Sequence, residues 1–196
     1  MTAQVTDTVE FQGEEYTLCR YSGDILFAPE EYGLNPSSPS TACHLGWIAN
    51  YEISDRLFLK DLFVFHDAGL PIKNRRPNGP RISGILPKEP DSLSFVRFNC
   101  FYEGLNIPIS FTGGILITQD LSLLLPFGGW PLFWQYEIVY ELSFLDGHLE
   151  RIAEKSEIAQ IIREKYLVKG LLGHPTLTRD AEVQRWLDSS FSHHYR

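Results

Sequence analysis

The chain has 196 residues, a formal net charge of −8 and a sequence pI of about 5.2. Hydrophobic residues make up 43% of it and aromatic residues 13%, which excludes an intrinsically disordered chain and leaves ample material for a packed core. Its 25 Asp and Glu outnumber its 17 Lys and Arg, which disfavours a general nucleic-acid binder, because neutralising phosphates needs a basic surface.

The chain carries no targeting or membrane signal that we can identify. The N-terminal stretch MTAQVTDTVEF has neither a basic nor an apolar segment, unlike a secretory signal. No stretch approaches the roughly 18 apolar residues that span a bilayer. The widely spaced Cys19, Cys43 and Cys100 indicate buried thiols in a reducing compartment, not disulfides or a zinc site. We therefore expect a cytoplasmic protein with no membrane contact.

From residue 9 to residue 152 the recurring unit is the β-hairpin, a pair of alternating strands joined by a tight turn. Gly, Asn and Asp tolerate the positive φ of such turns, so two Gly-containing dipeptides are the strongest signals. The predicted turns lie at Gly13, Asp55-Arg56, Gly113-Gly114 and Asp146-Gly147. The pattern predicts a mainly β fold, all-β leaning to α+β: an antiparallel barrel or curled sheet built from hairpins.

Two strands carry informative alternation. In the stretch 57–65 both faces are mostly apolar, as in a central strand, with Asp61 interrupting one of them. If Asp61 is buried, it needs a partner such as an arginine or a backbone donor. In the stretch 136–145, Glu137 and Glu141 share the face that we expect to be exposed to solvent.

Beyond residue 152 the pattern becomes helical. Ser156 can cap a helix from residue 157 to about 169, with Ile158, Ile161 and Ile162 in its apolar stripe, and Thr178 can cap a second helix. We therefore divide the chain into an antiparallel β module (1–152), a two-helix C-terminal extension packed on the same core (153–191) and a frayed tail (192–196).

No established catalytic, phosphate-binding or metal-binding motif is present. The candidates for catalysis are individual residues that would have to converge in space: Cys43, His44, His66 and Asp61. Adjacent residues of a strand point to opposite faces, so Cys43 and His44 would not pair with each other. A structural role remains the alternative for each of them. No cofactor and no metal site is predicted.

Two groups of residues are candidates for binding. Aromatic side chains beside glycines can line a ligand pocket or anchor an interface, or simply close the core, and they cluster at Phe127, Trp130, Phe133 and Trp134. A proline-rich loop from residue 69 to residue 91 carries basic side chains that could hold an anion or an acidic partner, or only keep the loop solvated. These side chains are Lys73, Arg75, Arg76, Arg81 and Lys88.

The charges are unevenly distributed. Seven acidic residues lie between Asp7 and Glu31, where Arg20 is the only basic residue, whereas the basic side chains crowd into the proline-rich loop. The sequence therefore predicts an acidic N-terminal edge and a basic loop on one β module, and both are candidate partner surfaces.

The segment from Ser40 to Trp47 (STACHLGW), followed by Tyr51-Glu52-Ile53 and Leu57-Phe58-Leu59, resembles bacterial proteins of no established activity. Those proteins carry a Ser-Thr-Ala-Cys segment, a Gly-aromatic step and a hairpin of this type. The resemblance covers roughly residues 25 to 65. It implies a bacterial, intracellular protein of small accessory type and assigns no catalytic residue.

Three functions remain open on the sequence alone. The first is a non-enzymatic protein-binding module, for example an immunity-type protein that blocks a basic toxin, since the chain is acidic and lacks a catalytic constellation. The alternative is a β-barrel that binds a small ligand. The second alternative is an enzyme that uses Cys43, His44 or His66.

Overall fold

The computed structural model describes residues 3–67, 77, 79–90, 96–122, 130, 132–168 and 191–192. Its elements are mostly strands, as the sequence predicts. They are β1 (Thr8–Phe11), β2 (Glu14–Gly23), β3 (Trp47–Ile53), β4 (Leu57–Val64), β5 (Cys100–Tyr102), β6 (Ile107–Pro108), β7 (Gly113–Leu121), β8 (Tyr136–Leu145), β9 (His148–Glu154) and the helix α1 (Ser156–Val168).

Within the described residues, the nine strands form one curled sheet. Its order is β5-β4-β3-β1-β2-β7-β8-β9, with β6 pairing with β4. The sheet ends at β5 and β9 and is not closed, so of the two predicted forms the curled sheet is confirmed and the barrel is not. Among the described strand pairs, only β1 and β3 pair in parallel, with Val9 opposite Tyr51, and the other pairs are antiparallel.

Three predicted hairpins are confirmed. The β1–β2 turn has Gln12 and Gly13 at φ 55° and 81°, and the β8–β9 turn has Asp146 and Gly147 at φ 49° and 78°. Both turns therefore use the left-handed backbone region that Gly, Asn and Asp adopt most easily. The third hairpin joins β3 to β4, with Ile53 opposite Leu57.

The predicted turn at Gly113-Gly114 is wrong. Both glycines lie inside β7, where Gly113 is opposite Gly23 of β2 on one side and Phe144 of β8 on the other. A Cβ atom on Gly113 would lie 2.3 Å from the carbonyl oxygen of Ser22, so the glycine permits close approach of two strands and not a reversal of the chain.

The concave side of the sheet encloses the inner core, which includes Val9, Phe11 and Tyr51. β4 contributes Leu57, Leu59, Leu62 and Val64 to this core. These positions break the predicted alternation, because the register of β3 and β4 shifts between Asn50 and Tyr51. Such a bulge moves the following residues to the other face, so Leu62 and Val64 point inward and Phe63 points outward.

The convex side of β7 and β8 is covered by an outer layer that contains α1. This layer includes Leu116 and Val139 of the sheet, Phe133 and Trp134 of a short 3₁₀ helix (Phe133–Gln135), and Ala159 and Ile162 of α1. The prediction that Glu141 lies on a solvated face is therefore wrong, since its side chain is 1% exposed beneath this layer. Glu137 is exposed, as predicted.

α1 begins where the sequence predicts, but the face that it buries differs from the predicted apolar stripe. Ile158 and Ile161 are 42% and 44% exposed, whereas Ile162 is buried. The hydroxyl of Ser156 accepts a hydrogen bond from the N–H of Val139 (3.2 Å) and so ties the start of the helix to β8. The predicted second helix and most of the tail lie outside the described residues, and the domain boundary at residue 152 stays a prediction.

Candidate functional site

The curl of the sheet brings its two ends together at one corner. The N–H of Leu149 in β9 donates to the carbonyl of Asp55 (2.9 Å), and the N–H of Leu57 donates to the carbonyl of Gly147 (2.9 Å). Arg56 and His148 form an isolated antiparallel bridge between these segments. The β3–β4 and β8–β9 hairpins therefore touch at their tips.

Beyond this corner lies a groove of about 420 Å³ between β9 and the ends of β1 and β3. Four apolar side chains line it, together with two carboxylates, two small residues and Gln12. The lining residues are Glu10, Phe11, Gln12, Gly13, Glu52, Ile53, Ser54, Leu149 and Ile152. Ile152 is 46% exposed. We call this feature the acidic groove.

Three carboxylates form a row on the convex face beside the groove. Glu10 of β1 is directly opposite Glu15 of β2 on one side and Glu52 of β3 on the other. Directly opposed residues of neighbouring strands point to the same face, and like charges in these positions repel. The row therefore concentrates negative charge at a cost to stability.

One lysine offsets part of this repulsion. Lys60 of β4 forms ion pairs with Glu10 and, at 3.3 Å, with Glu52. Its hydrogen bond to Glu10 raises the pKa of Lys60 above its ordinary value, with a further contribution from Glu52. Among the described residues no cation pairs with the carboxylate of Glu15, so the row keeps a net negative charge.

The contacts described for Cys43, His44, His66 and Asp61 join none of them to another of the four. Cys43 is 3% exposed, and its thiol donates to the carbonyl of Trp47 (3.6 Å). Burial raises the pKa of Cys43, opposite to the shift that activates a nucleophilic thiol. His44 is exposed on a loop.

The side chains of His66 and Asp61 accept hydrogen bonds from the backbone of neighbouring segments. Nδ1 of His66 accepts a hydrogen bond from the N–H of Asn35 (2.9 Å). Burial lowers the pKa of His66, and the negative charge of Asp67 counteracts only part of this shift. Asp61 is partly buried and accepts a hydrogen bond from the N–H of Gly104 (2.8 Å). Asp61 thus has the kind of backbone donor that a carboxylate in this position requires.

The four aromatic candidates do not share one environment. Phe133 and Trp134 are 2% and 0% exposed and pack in the outer layer. Trp130 is 53% exposed, and Phe127 lies outside the described residues. Of these side chains, Trp130 is therefore the one that the structure shows on the surface.

Three of the basic side chains of the proline-rich loop, those of Lys73, Arg75 and Arg76, lie outside the described residues. Arg81 donates to the carbonyl of Gly84 (2.7 Å), and Lys88 forms an ion pair with Glu103. Each of the two described basic side chains therefore has a partner within the chain.

Sequence reasoning missed a buried ion pair. Oε2 of Glu141 accepts hydrogen bonds from Nζ of Lys155 (3.1 Å) and from the hydroxyl of Ser192 (2.6 Å), and Oε1 accepts one from the N–H of Ser192 (2.8 Å). Burial alone would raise the pKa of Glu141, but Ser192 and Lys155 together lower it. Phe191 packs against the outer layer and lies 6.0 Å from the guanidinium of Arg20. These contacts hold the C-terminal segment against β8, and no local signal around Glu141 indicates them.

Asp7 is a second ionisable group that the sequence did not single out. Its Oδ1 accepts a hydrogen bond from the N–H of Ala49 (2.9 Å). Burial raises the pKa of Asp7 to about 7, although this hydrogen bond acts in the opposite direction. Tyr51 nearby is 1% exposed, and within the described residues its hydroxyl has no hydrogen-bond partner. Asp7 is therefore a source of pH-dependent stability at the edge of the inner core.

No family model matches this chain, and no significant match is found among curated proteins or solved structures. In the part of the chain that the structure describes, no helix is long and apolar enough to cross a membrane. In that same part, no group of three or more His, Cys, Asp or Glu side chains is placed to hold a metal ion.

Proposed function

We propose that this protein is a non-enzymatic protein-binding module whose acidic groove takes a basic, extended segment of a partner protein. The observation that carries the proposal is the row formed by Glu10, Glu15 and Glu52 beside an apolar groove. Three carboxylates in direct opposition destabilise the free protein, and a cationic partner relieves that repulsion.

The groove offers both components of recognition. Phe11 and Ile53 form a floor that is already buried, whereas Leu149 and Ile152 leave apolar surface exposed, and burial of that exposed surface favours association. The carboxylates at the rim select a cationic partner, and the net charge of −8 attracts it from a distance. An immunity-type protein that blocks a basic toxin is one example of such a module.

The shape of the site favours a peptide over a small ligand. Small-ligand pockets are usually enclosed and mostly apolar. The acidic groove runs along the end of a sheet, is open to solvent, and has Ser54 and Gln12 beside its carboxylates. These features suit a chain segment that enters and leaves the groove.

The test uses three acetylated and amidated nonapeptides with a fluorescent label. One alternates lysine with valine, one alternates glutamate with valine, and one alternates lysine with serine. Fluorescence anisotropy at 0.15 M salt measures their affinity for the full chain. We expect the lysine–valine peptide to bind at least about tenfold more tightly than either of the others, which corresponds to about 1.4 kcal/mol. Equal affinities, or no binding of any peptide, would overturn the proposal.

A further inference from the structure

We propose that the partner segment binds as an additional β-strand on the open edge of β9. This inference rests on the proposed function and specifies its binding mode. Within the described residues, β9 is the last strand of the sheet, and no other strand pairs with its outer edge. This edge forms one wall of the acidic groove through Leu149 and Ile152.

The direction of the backbone groups follows from one hydrogen bond. The N–H of Lys155, directly after β9, donates to the carbonyl of Val139 in β8 (2.8 Å). In an antiparallel ladder the backbone groups alternate between the two edges of a strand. The N–H of Ala153 therefore faces β8, whereas the N–H and carbonyl groups of Ile152 and Glu154 point away from β8, and Ile152 lines the groove. These groups are the ones that a further strand would pair with.

At the corner of the groove, the outer edge of β9 is already paired with residues of the β3–β4 hairpin. Leu149 donates to Asp55, and His148 bridges to Arg56, so the first residues of β9 have a neighbour on their outer side. Before Asp55 the chain belongs to the end of β3, and no described backbone hydrogen bond joins that end to β9, so the outer edge of β9 continues along the groove without a strand partner among the described residues. A partner strand would continue this pairing at Ile152.

The surroundings of Ile152 also determine which side chains a partner strand would place beside it. Ile152 is opposite Leu142 of the inner core, so it points to the concave face. Alternate side chains of a strand beside it would face Phe11 and Ile53, and the others would face Glu10 and Glu52. The occupant is therefore an extended peptide of a partner protein in which aliphatic residues alternate with Lys or Arg.

A second copy of the chain fits this edge less well than a basic partner. Two copies paired through β9 would bring Glu150 and Glu154 of each copy together, beside two acidic rows. Repulsion between these carboxylates opposes such a dimer at low salt. Sedimentation velocity of the free chain addresses this occupant directly: a stable dimer in which the outer amides of β9 are protected would overturn the assignment to a partner segment.

Amide hydrogen exchange of the full chain, with and without the lysine–valine nonapeptide, tests the binding mode. Strand addition predicts that the amides of Ile152 and Glu154 exchange at least about tenfold more slowly in the complex. The amide of Ala153, which already bonds to β8, is the internal control and should change by less than about twofold. Peptide binding without protection of Ile152 and Glu154 would refute strand addition and leave the proposed function intact. Absence of binding would instead refute the proposed function.

Two substitutions at one position provide a second measurement. Ile152→Pro removes an N–H that faces away from β8, which an edge strand tolerates, whereas Ile152→Ala removes apolar side-chain surface but keeps the N–H. We expect the proline variant to bind the peptide at least about fivefold more weakly than the alanine variant. Equal affinities of two folded variants would contradict the assignment, and the exchange experiment on the unaltered chain decides the matter if the proline variant does not fold.

Discussion

The carboxylate of Glu141 offers a direct test of the packing of the outer layer. Its side chain is 1% exposed and that of Lys155 is 11% exposed, with 3.1 Å between Oε2 and Nζ. Glu141→Gln preserves the size of the side chain and removes its charge. The ammonium group of Lys155 would then lie nearly buried without a counter-ion, and breaking such a pair from one side costs about 3–5 kcal/mol.

We expect the lower end of that range, about 3 kcal/mol, because the amide oxygen of a glutamine can still accept the N–H of Ser192 (2.8 Å). Urea unfolding followed by circular dichroism measures the change in the free energy of unfolding. Glu137→Gln is the matched control on the same strand. Glu137 is 54% exposed, and Arg163, which is 10% exposed, keeps its hydrogen bonds to the carbonyls of Trp134 (3.3 Å) and Tyr136 (2.8 Å), so the loss of this ion pair should cost less than about 1 kcal/mol.

A double variant separates the charge effect from packing. Glu141→Leu together with Lys155→Met removes both charges, and replacing a buried pair by apolar groups is often neutral or stabilising. We therefore expect the double variant to be more stable than Glu141→Gln alone. If Glu141→Gln costs no more than Glu137→Gln, Glu141 is solvated, as its sequence pattern indicates, and our description of the outer layer is wrong.

Two further predictions concern stability. The pKa of Asp7 is raised to about 7, so the folded state holds a proton that the unfolded chain releases near pH 4, and stability falls as the pH rises between these values. A fully buried group with this difference would contribute about 4 kcal/mol. Because Asp7 is partly exposed, we expect Asp7→Asn to stabilise the protein by about 2 kcal/mol at pH 8 and by nothing at pH 3, and equal stabilisation at both pH values would refute this account. A Cβ on Gly147, which has φ 78°, would lie 2.0 Å from the carbonyl oxygen of Ile109, whereas Gly13 at φ 81° has open space around it. Urea unfolding should show a cost of about 1–2 kcal/mol for Gly13→Ala and a clearly larger one for Gly147→Ala, and equal costs would contradict the close contact at this corner.

Local sequence signals predicted the parts of the fold that depend on local geometry. The Asp146-Gly147 turn and the start of α1 at Ser156 follow from residues close together in the chain, and both are confirmed. Gly113-Gly114 shows the limit of such signals. A glycine pair is equally suited to a tight turn and to a close approach of strands, and only the distant residues Ser22 and Gly23 decide between them.

The residues of the candidate site were beyond prediction for a related reason. Glu10 and Glu52 are neighbours because β1 and β3 pair in parallel across 42 positions of the chain, and no alternation pattern within either strand indicates that pairing. The acidic N-terminal edge was nevertheless predicted from the distribution of charge, and Glu10 and Glu15 belong to it. Glu52 joins them through the topology of the sheet alone.

The central claim is that the acidic row, and not the overall charge, binds a basic segment. The most direct measurement compares two double variants of equal net charge, Glu10→Gln with Glu52→Gln in the row and Glu30→Gln with Glu31→Gln on an exposed 3₁₀ turn. Their affinities for the lysine–valine nonapeptide are measured at 0.15 M salt. We predict that the row variant loses at least about tenfold in affinity, partly because Lys60 is left without its partners, and that the control loses less than about twofold. An equal loss in the two variants would contradict the account.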